Sequence, residues 1–304
     1  MPIELSKKSA FAIESLPKEE TVFFFPVGPL EDHGPHLPVG LDVEVAEKLC
    51  FLAAQRLERE KPGWVGVIMP KLALGLDSHT TRFALTVRPH VLRDWLVDAC
   101  RGLVDAGFRS FVCFSGQLGP KQMTAIEEAG KLVGRMGRWR IGVRRPILLS
   151  ASSAFVSFTD VLKSPFWSDP QEHGGMEDTS IALELGEGVV GSQYRSLPPI
   201  EKAASRWITN LNRRRKRLGG YWGKPSEAHP FKGQKWLEEK IDLVFPRLRA
   251  VWEGASPRVL FRSWYSILPP NKSFFRSWVL FFLVFLCLFG WGFLNSMSLY
   301  DLGP

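Results

Sequence analysis

Short apolar runs alternate with segments of helical periodicity along the first half of the chain, and this alternation restricts the possible folds most. The runs are rich in β-branched and aromatic residues, which predicts buried strands. They are TVFFFPVG (21–28), GWVGVIMP (63–70), RSFVCFSG (109–116) and PILLSAS (146–152). Apolar residues recur at helical spacing over residues 42–60, 88–107 and 120–136. Strands that alternate with helices predict an α/β domain with a mainly parallel central sheet.

The charge and the cysteines exclude some classes of protein. The net charge of +8 owes much to one basic run, RRRKR at 213–217, which is either a solvated surface segment or a contact for anionic lipid. No nucleic-acid partner is expected, because no basic stripe with interleaved aromatic residues accompanies this run. The four cysteines stand far apart in apolar contexts, which favours buried free thiols in a reducing compartment over disulfides.

The last forty residues contain an uncharged apolar segment, WVLFFLVFLCLFGWGFL at 278–294. As a helix this segment would be roughly 26 Å long, near the lower limit for crossing a bilayer. A buried core helix is the alternative, but the segment is apolar on every side. We therefore predict three parts: an α/β domain over 1–254, a proline-interrupted linker over 255–276, and a transmembrane helix over 277–298. Basic residues precede the helix, which places the large domain in the cytoplasm and makes the helix a single-pass anchor.

Two polar clusters are candidates for chemistry. The first, EDHGPHLPVGLD at 31–42, follows a predicted strand and contains Glu31, His33 and Asp42. Carboxylate and imidazole donors suit Zn²⁺ or Mn²⁺, and several Gly and Pro residues between them allow the loop to fold back. The alternative is a polar turn in which Asp42 serves as a helix N-cap.

The second cluster is QEHGGMEDTS at 171–180. His173 is a candidate general acid or base, with Glu172 orienting it. The adjacent Gly-Gly would allow backbone to approach a ligand closely. A capped loop before a helix is the alternative reading, because EDTSIALEL at 177–185 is typical of a helix start.

Taken together, these segments resemble the creatininase (creatinine amidohydrolase) family. FPVGPLEDHGPHLPVGLD (25–42) is similar to the family's opening signature, and four further segments follow in the same order over roughly residues 22–250. They are LGLDSHTTRFALTV (74–87), DAGFRSFVCFSGQLGP (105–120), EHGGMEDTSIAL (172–183) and GYWGKPSEAHPFKGQKWLEE (220–239). The resemblance implies a three-layer α/β/α fold with a mainly parallel central sheet and a homo-oligomeric assembly.

The resemblance also implies a chemistry. Members of the family are metal-dependent hydrolases of C–N bonds in cyclic amides, formamides or a peptide precursor, with two metal ions and a bridging water. Glu31, His33 and Asp42 match family metal ligands, with Asp42 as the bridge between the ions. His173 and Glu172 match residues beside the substrate. The residues expected to contact the substrate are Asp178, His36 and Trp167.

Two departures from the family pattern leave two functions open. Gln117 stands where the family has a histidine ligand, and Met176 stands where many members have a ligating glutamate. Gln117 is a weak substitute for imidazole, while Glu177 is a possible substitute for Met176. The chain is therefore predicted to be a membrane-tethered amidohydrolase with an altered site of one or two Zn or Mn ions. The alternative is a non-catalytic binding or scaffold subunit at the membrane.

Overall fold

A computed structural model describes most of the chain. The described residues are 1–76, 82–136, 144–157, 172–186, 188–200, 219–267 and 279–292. The chain divides into two compact units, Met1–Ser266 and Ile267–Pro304. The first unit extends past the predicted domain end at residue 254, since a short helix and the buried side chain of Phe261 belong to it.

The first unit alternates strands and helices. The strands are β1 (Ile3–Glu4), β2 (Thr21–Val27), β3 (Leu30–Glu31), β4 (Val65–Ile68), β5 (Ala84–Leu85), β6 (Ser110–Ser115) and β7 (Ile147–Ser150). The helices are α1 (Ala10–Glu14), α2 (Leu41–Glu60), α3 (Pro89–Asp105), α4 (Pro120–Val133), α5 (Met176–Leu185), α6 (Pro230–Trp252) and α7 (Pro257–Leu260). Prolines open α3, α4, α6 and α7, where the missing amide hydrogen costs nothing.

Five strands form one parallel sheet in the order β1-β4-β2-β6-β7. This confirms the predicted mainly parallel central sheet. The strands β3 and β5 form a separate antiparallel pair, in which Glu31 lies opposite Ala84. The order of the strands in the sheet differs from their order in the sequence. The second strand, β2, lies at the centre of the sheet, and β4 and β6 pair with it on either side.

The central strand β2 is buried on both faces, and its side chains alternate between two hydrophobic cores. Val22 and Phe24 point into a core that α2, α5 and α6 cover. Phe23, Phe25 and Val27 point into a second core that α3 and α4 cover. Because successive side chains of a strand point to opposite faces, this split places helices on both sides of the sheet. The predicted three-layer α/β/α fold is confirmed.

Two glycines at the carboxyl ends of β2 and β6 bring the start of α2 onto the sheet. A Cβ atom on Gly28 would lie 2.7 Å from the Val43 nitrogen, and one on Gly116 would lie 2.0 Å from the Asp42 carbonyl oxygen. No larger residue fits this approach without moving the helix. The first turn of α2 is thereby fixed above the point where two neighbouring parallel strands end, a place where sites collect in α/β sheets.

In the second unit, residues 279–292 form a helix. Its large apolar side chains, Leu280, Phe281 and Phe289 among them, are exposed. Within the part of the chain that the structure describes, no helix has both the length and the apolar character needed to cross a membrane. Part of the predicted 277–298 helix lies outside the described residues. The four cysteines are free, and the predicted burial is wrong for Cys287, which is exposed.

Candidate metal centre

Three buried side chains from distant parts of the sequence meet beside the first turn of α2. Glu31 ends β3, His33 follows it in the loop, and His173 precedes α5. Each offers one donor atom, and the three donor atoms lie within 4.8 Å of one another. Carboxylate oxygen with two imidazole nitrogens is a donor set that zinc and manganese accept. Among the described residues, this is the group of side chains whose donor atoms lie close enough together to hold one metal ion.

The His33 ring is held by its own loop. Its Nδ1 donates a hydrogen bond to the Glu31 carbonyl oxygen at 3.1 Å. That contact assigns the proton to Nδ1 and leaves a lone pair on Nε2. The Nε2 atom lies 3.9 Å from Glu31 Oε1 and 3.7 Å from Asp42 Oδ1. A ring nitrogen anchored on a backbone carbonyl is the usual way in which proteins orient a metal-binding histidine.

Asp42 completes the cluster with an unsatisfied carboxylate. It lies in the first turn of α2 behind Gly40, which precedes the helix, so the predicted alternative of Asp42 as N-cap is wrong. Its Oδ2 is buried and makes no hydrogen bond to the described residues. Burial raises the pKa of Asp42 to about 7, a contact with Glu31 opposes that rise, and the Asp178 charge adds to it. A buried oxygen that lacks a proton donor fits a cation at this place.

The His173 ring is buried and lies between two other rings. Its Nε2 donates a hydrogen bond of 2.7 Å to the Asp32 carbonyl oxygen, which leaves the lone pair on Nδ1. One face of the ring stacks on His33, with ring centres 4.3 Å apart, and the other face stacks on Trp222 at 4.6 Å. Sequence reasoning placed His173 beside a substrate, whereas the structure places it among the possible metal donors.

The neighbours of His173 serve the start of α5. The Glu172 carboxylate accepts hydrogen bonds from the Met176 amide at 3.0 Å and from the Glu177 amide. Burial raises the pKa of Glu172 to about 7, although these two amide donors favour its ionised form. Asp178 accepts a hydrogen bond of 2.7 Å from the Gly174 amide. These contacts support the predicted alternative of a capped loop, and the side chain of Glu177 is exposed outside the donor group.

The two residues that depart from the family pattern, Gln117 and Met176, each contact a neighbouring group in the fold. The Gln117 side-chain oxygen accepts a hydrogen bond from the Gly119 amide, just before α4. Met176 opens α5, and its sulfur lies 3.1 Å from the Lys232 ammonium nitrogen. The first contact is local, whereas the second joins the start of α5 to the first turn of α6.

The predicted substrate-binding residues are only partly described. His36 is buried, and its Nε2 lies 2.8 Å from the Thr179 hydroxyl oxygen. Burial, to which the neighbouring His33 adds, lowers the pKa of His36 to about 4, so the ring is neutral at physiological pH. Trp167 lies outside the described residues. From the sequence, Trp222 in GYWG at 220–223 could line the pocket or merely pack, and the structure stacks its indole on His173.

A family model establishes the relationship of this chain. The model of creatininase, described as creatinine amidohydrolase, matches residues 6–245. The chain belongs to the creatininase family. The matched residues of this creatininase-family chain include every member of the donor group and exclude the apolar C-terminal segment. No curated protein matches the sequence.

Solved creatininase structures share the fold. The manganese form is 22% identical with a TM-score of 0.63, and the alignment covers 83% of this chain and 99% of that one. A variant complexed with creatine is 22% identical with a TM-score of 0.64, at the same coverage of 83% and 99%. A variant described as the Zn-Zn type is 21% identical with a TM-score of 0.64, again covering 83% and 99%. The chain therefore has the creatininase-family amidohydrolase fold over its first unit.

Proposed function

We propose that this chain is a metal-dependent amidohydrolase that cleaves a C–N bond of a small amide, cyclic amide or formamide. The observation that carries the proposal is the buried donor group of Glu31, His33 and His173, with all donor atoms within 4.8 Å. Packing alone gives no reason to bury a carboxylate beside two imidazoles, because burying polar groups is costly unless they are satisfied. Manganese and zinc forms of related structures agree with this donor chemistry.

The residues fit one divalent ion. Glu31 and Asp42 supply two negative charges, which balance the charge of the ion. The unbonded Oδ2 of Asp42 and the lone pairs on His33 Nε2 and His173 Nδ1 supply the remaining donors. When bound, the ion would polarise the amide carbonyl and lower the pKa of a water molecule that attacks it.

The chain's own contribution is to hold the donors still. Backbone carbonyls fix both histidine rings by hydrogen bonds, His33 through Nδ1 and His173 through Nε2. The anchored nitrogens keep their protons, so each ring binds a cation through its other nitrogen only. Trp222 covers one face of His173, and this excludes water from that side of the centre.

One ion is proposed rather than two. By the resemblance, Gln117 and Met176 stand at ligand positions of the family's two-metal site, and their replacement weakens each metal position on one side. An amide oxygen and a thioether are weak ligands for zinc and manganese. The Gln117 oxygen already accepts the Gly119 amide, and the Met176 sulfur lies against Lys232.

These same departures support the second candidate function, a non-catalytic subunit that binds through the creatininase-like domain. A family centre that lost one ion position would bind a ligand without turning it over. The two functions require the same fold and differ in hydrolytic activity. Measuring bound metal and hydrolysis in the same protein therefore separates them.

We also propose that the C-terminal segment tethers the domain to the cytoplasmic face of a membrane. The described helix at 279–292 carries no charged residue and exposes its aromatic and aliphatic side chains. Exposed apolar surface of this extent is unstable in water. Lys272 and Arg276 precede the segment, and the excess of basic residues favours a cytoplasmic position for the preceding domain.

Metal analysis and hydrolysis assays on the full-length chain in detergent test the enzyme proposal. Expression in zinc- and manganese-supplemented medium should give about one bound ion per chain. Release of carboxylate or amine should follow with creatinine or another member of a panel of cyclic amides, linear amides and formamides. Asp42→Ala should abolish both metal and hydrolysis.

The matched control is Glu44→Gln, on the same first turn of α2. Glu44 is exposed and pairs with Lys71 at the surface, away from the donor group. This variant should retain the metal and the activity. Metal content near zero in the wild-type chain would contradict the proposal, while one tightly bound ion without hydrolysis of any panel member would favour the non-catalytic subunit.

The tether has its own test. Deletion of the residues from Ser277 onward should move the protein from the membrane pellet to the supernatant of a lysate, with the metal content unchanged. A deleted chain that still sediments with membranes would show that another part of the protein carries the attachment.

A further inference from the structure

We infer that Trp222 is a positioning residue of the metal centre, which sets the orientation of His173 and so the affinity for the metal. The inference rests on the proposed function and deepens it, because it assigns a role to a residue outside the donor group. Three observations support it: the ring stack, the backbone pairing, and the glycines that allow the segments to approach.

The first observation is a stack of three rings. His173 lies between His33 and Trp222, at centre distances of 4.3 and 4.6 Å and with interplanar angles of 26° and 27°. Trp222 is 6% exposed, so the indole closes the far side of the stack. A flat ring held between two other flat rings has little freedom to tilt. The plane of the His173 ring, and with it the direction of its free nitrogen, is therefore held fixed.

The second observation is the pairing of the two backbones. The His173 amide donates to the Trp222 carbonyl oxygen at 3.1 Å, and the Trp222 amide donates to the His173 carbonyl oxygen at 2.8 Å. This antiparallel bridge places the two side chains on the same side of the pair. The stacking is therefore a consequence of the backbone geometry and does not depend on side-chain rotation alone.

The third observation is that glycines line the contacts among the three segments. A Cβ atom on Gly174 would lie 2.2 Å from the His33 carbonyl oxygen. One on Gly220 would lie 2.4 Å from Asp32 Oδ2, and one on Gly223 would lie 2.8 Å from Glu172 Oε2. All three glycines also have positive φ angles. The segment 219–223 is thus fitted closely against the loop that supplies the donors.

The hydrogen bond to Asp32 and the stack on Trp222 together define the direction of the His173 ring. The Asp32 carbonyl fixes Nε2 at 2.7 Å, while the indole fixes the plane of the ring. The carbonyl alone would permit rotation about the hydrogen bond. Removal of the indole should therefore leave the tautomer intact and release the plane, which reduces affinity without removing a ligand. Partners of metal-binding histidines that lie outside the donor set typically change metal affinity by about 10–100-fold.

The test compares Trp222→Leu with Trp222→Phe in the full-length chain. Leucine fills apolar space without a flat face, whereas phenylalanine retains the stack. Zinc affinity is measured by competition with a chromophoric chelator, and the geometry around the ion by the visible absorption of bound Co²⁺. We expect Trp222→Leu to bind zinc about 10-fold more weakly with an altered Co²⁺ spectrum, and Trp222→Phe to stay within about 3-fold of the wild type.

The control is Trp64→Leu. Trp64 is a partly buried tryptophan that contacts Trp252 at 5.4 Å, on the side of the domain covered by α2 and α6. This variant should lose stability and keep the wild-type zinc affinity and Co²⁺ spectrum. An equal loss of affinity in Trp64→Leu would show that general destabilisation is responsible, and would overturn the inference.

A double-mutant cycle identifies the path of the effect. In a chain that carries His173→Ala, Trp222→Leu should weaken zinc binding by less than about 2-fold, because its target ring is absent. Full additivity would overturn the inference. Zinc binding that Trp222→Leu leaves unchanged would overturn this inference alone, whereas a wild-type chain that binds neither zinc nor manganese would overturn the proposed function as well.

Discussion

Replacing Asp42 with asparagine is expected to stabilise the metal-free protein at alkaline pH and to remove its metal binding. The Asp42 carboxylate is buried, and its Oδ2 has no hydrogen-bond donor among the described residues. Burial raises its pKa from 3.8 to about 7. A carboxyl group whose pKa is higher in the folded than in the unfolded state makes the free energy of unfolding fall as pH rises between those two values. Asparagine has the same shape and no charge, so it escapes this cost.

The magnitude follows from the shift. A rise of roughly three pKa units corresponds to about 4 kcal/mol at a pH above both values, since each unit is about 1.4 kcal/mol. Burying the asparagine amide in place of a neutral carboxyl offsets about 1–2 kcal/mol of this gain. The net stabilisation of the metal-free chain near pH 8 should be about 2–3 kcal/mol. Near pH 5, where Asp42 is protonated, the two proteins should differ by less than about 1 kcal/mol.

Urea unfolding of the metal-free full-length chains, in the same detergent at both pH values, measures these differences. The same samples with zinc should show a raised unfolding midpoint for the wild type and no rise for Asp42→Asn, because ligands that bind the folded state stabilise it. Glu44→Gln serves as the control and should match the wild type in every condition. An Asp42→Asn variant that is less stable than the wild type near pH 8, or that retains zinc, would refute the reasoning.

Three further variants follow from the same geometry. Glu172→Ala removes the acceptor for two amides of α5 and should lower the free energy of unfolding by about 1–2 kcal/mol with zinc affinity retained; loss of zinc would indicate a direct role at the metal. Gly116→Ala forces a Cβ atom to within 2.0 Å of the Asp42 carbonyl oxygen. It should lower the free energy of unfolding by at least about 1–3 kcal/mol and weaken zinc binding. Wild-type stability together with wild-type zinc affinity would show that Gly116 does not fix the start of α2. Gln117→His combined with Met176→Glu should raise the bound zinc from one to two ions per chain in elemental analysis, whereas an unchanged content would mean that more than these two ligands separates this site from a two-metal site.

The central part of the fold is predictable because its signals are local. The strands β2, β4, β6 and β7 each coincide with a short apolar run, and α2, α3 and α4 begin within about two residues of their predicted starts. The longest helix, α6, was not predicted. The two-residue strands β1, β3 and β5 give no such signal, because a pattern of period two needs more residues to be visible. The order of the sheet depends on contacts between distant residues, which periodicity does not contain.

The candidate site divides in the same way. Glu31, His33 and Asp42 converge because a strand, a loop and a helix start follow one another in twelve residues, and this proximity is readable from the sequence. His173 and Trp222 reach the site from far along the chain. The resemblance brought His173 near the centre, but only the structure groups its imidazole with the Glu31 and His33 donors and places the indole behind it.

The hydrogen-bond partner of the Glu172 carboxylate is the feature of the site that the sequence predicts least well. Glu172 stands next to His173 in the sequence, which suggested that it orients the imidazole. In the structure the Asp32 carbonyl orients that ring, while Glu172 satisfies amides at the start of α5. Adjacent side chains on an extended segment point in opposite directions, and the free amides of a helix start compete for any nearby carboxylate. This competition favours the capped loop, the alternative to a catalytic pair of Glu172 and His173.

The arrangement of the donors argues for a single ion. The half of the site built from Glu31, His33 and His173 has its histidine tautomers fixed by backbone carbonyls, so its donors face the site before any ion binds. Where the family has a histidine ligand, the Gln117 side-chain oxygen accepts the Gly119 amide, and turning that oxygen away toward an ion would give up this hydrogen bond. The amide exchanged would then lack a partner, at a cost of about 1–3 kcal/mol, for the gain of one weak ligand. Titration of the metal-free chain with zinc should therefore end at one equivalent, and a second site of similar affinity would show that Gln117 does make this exchange.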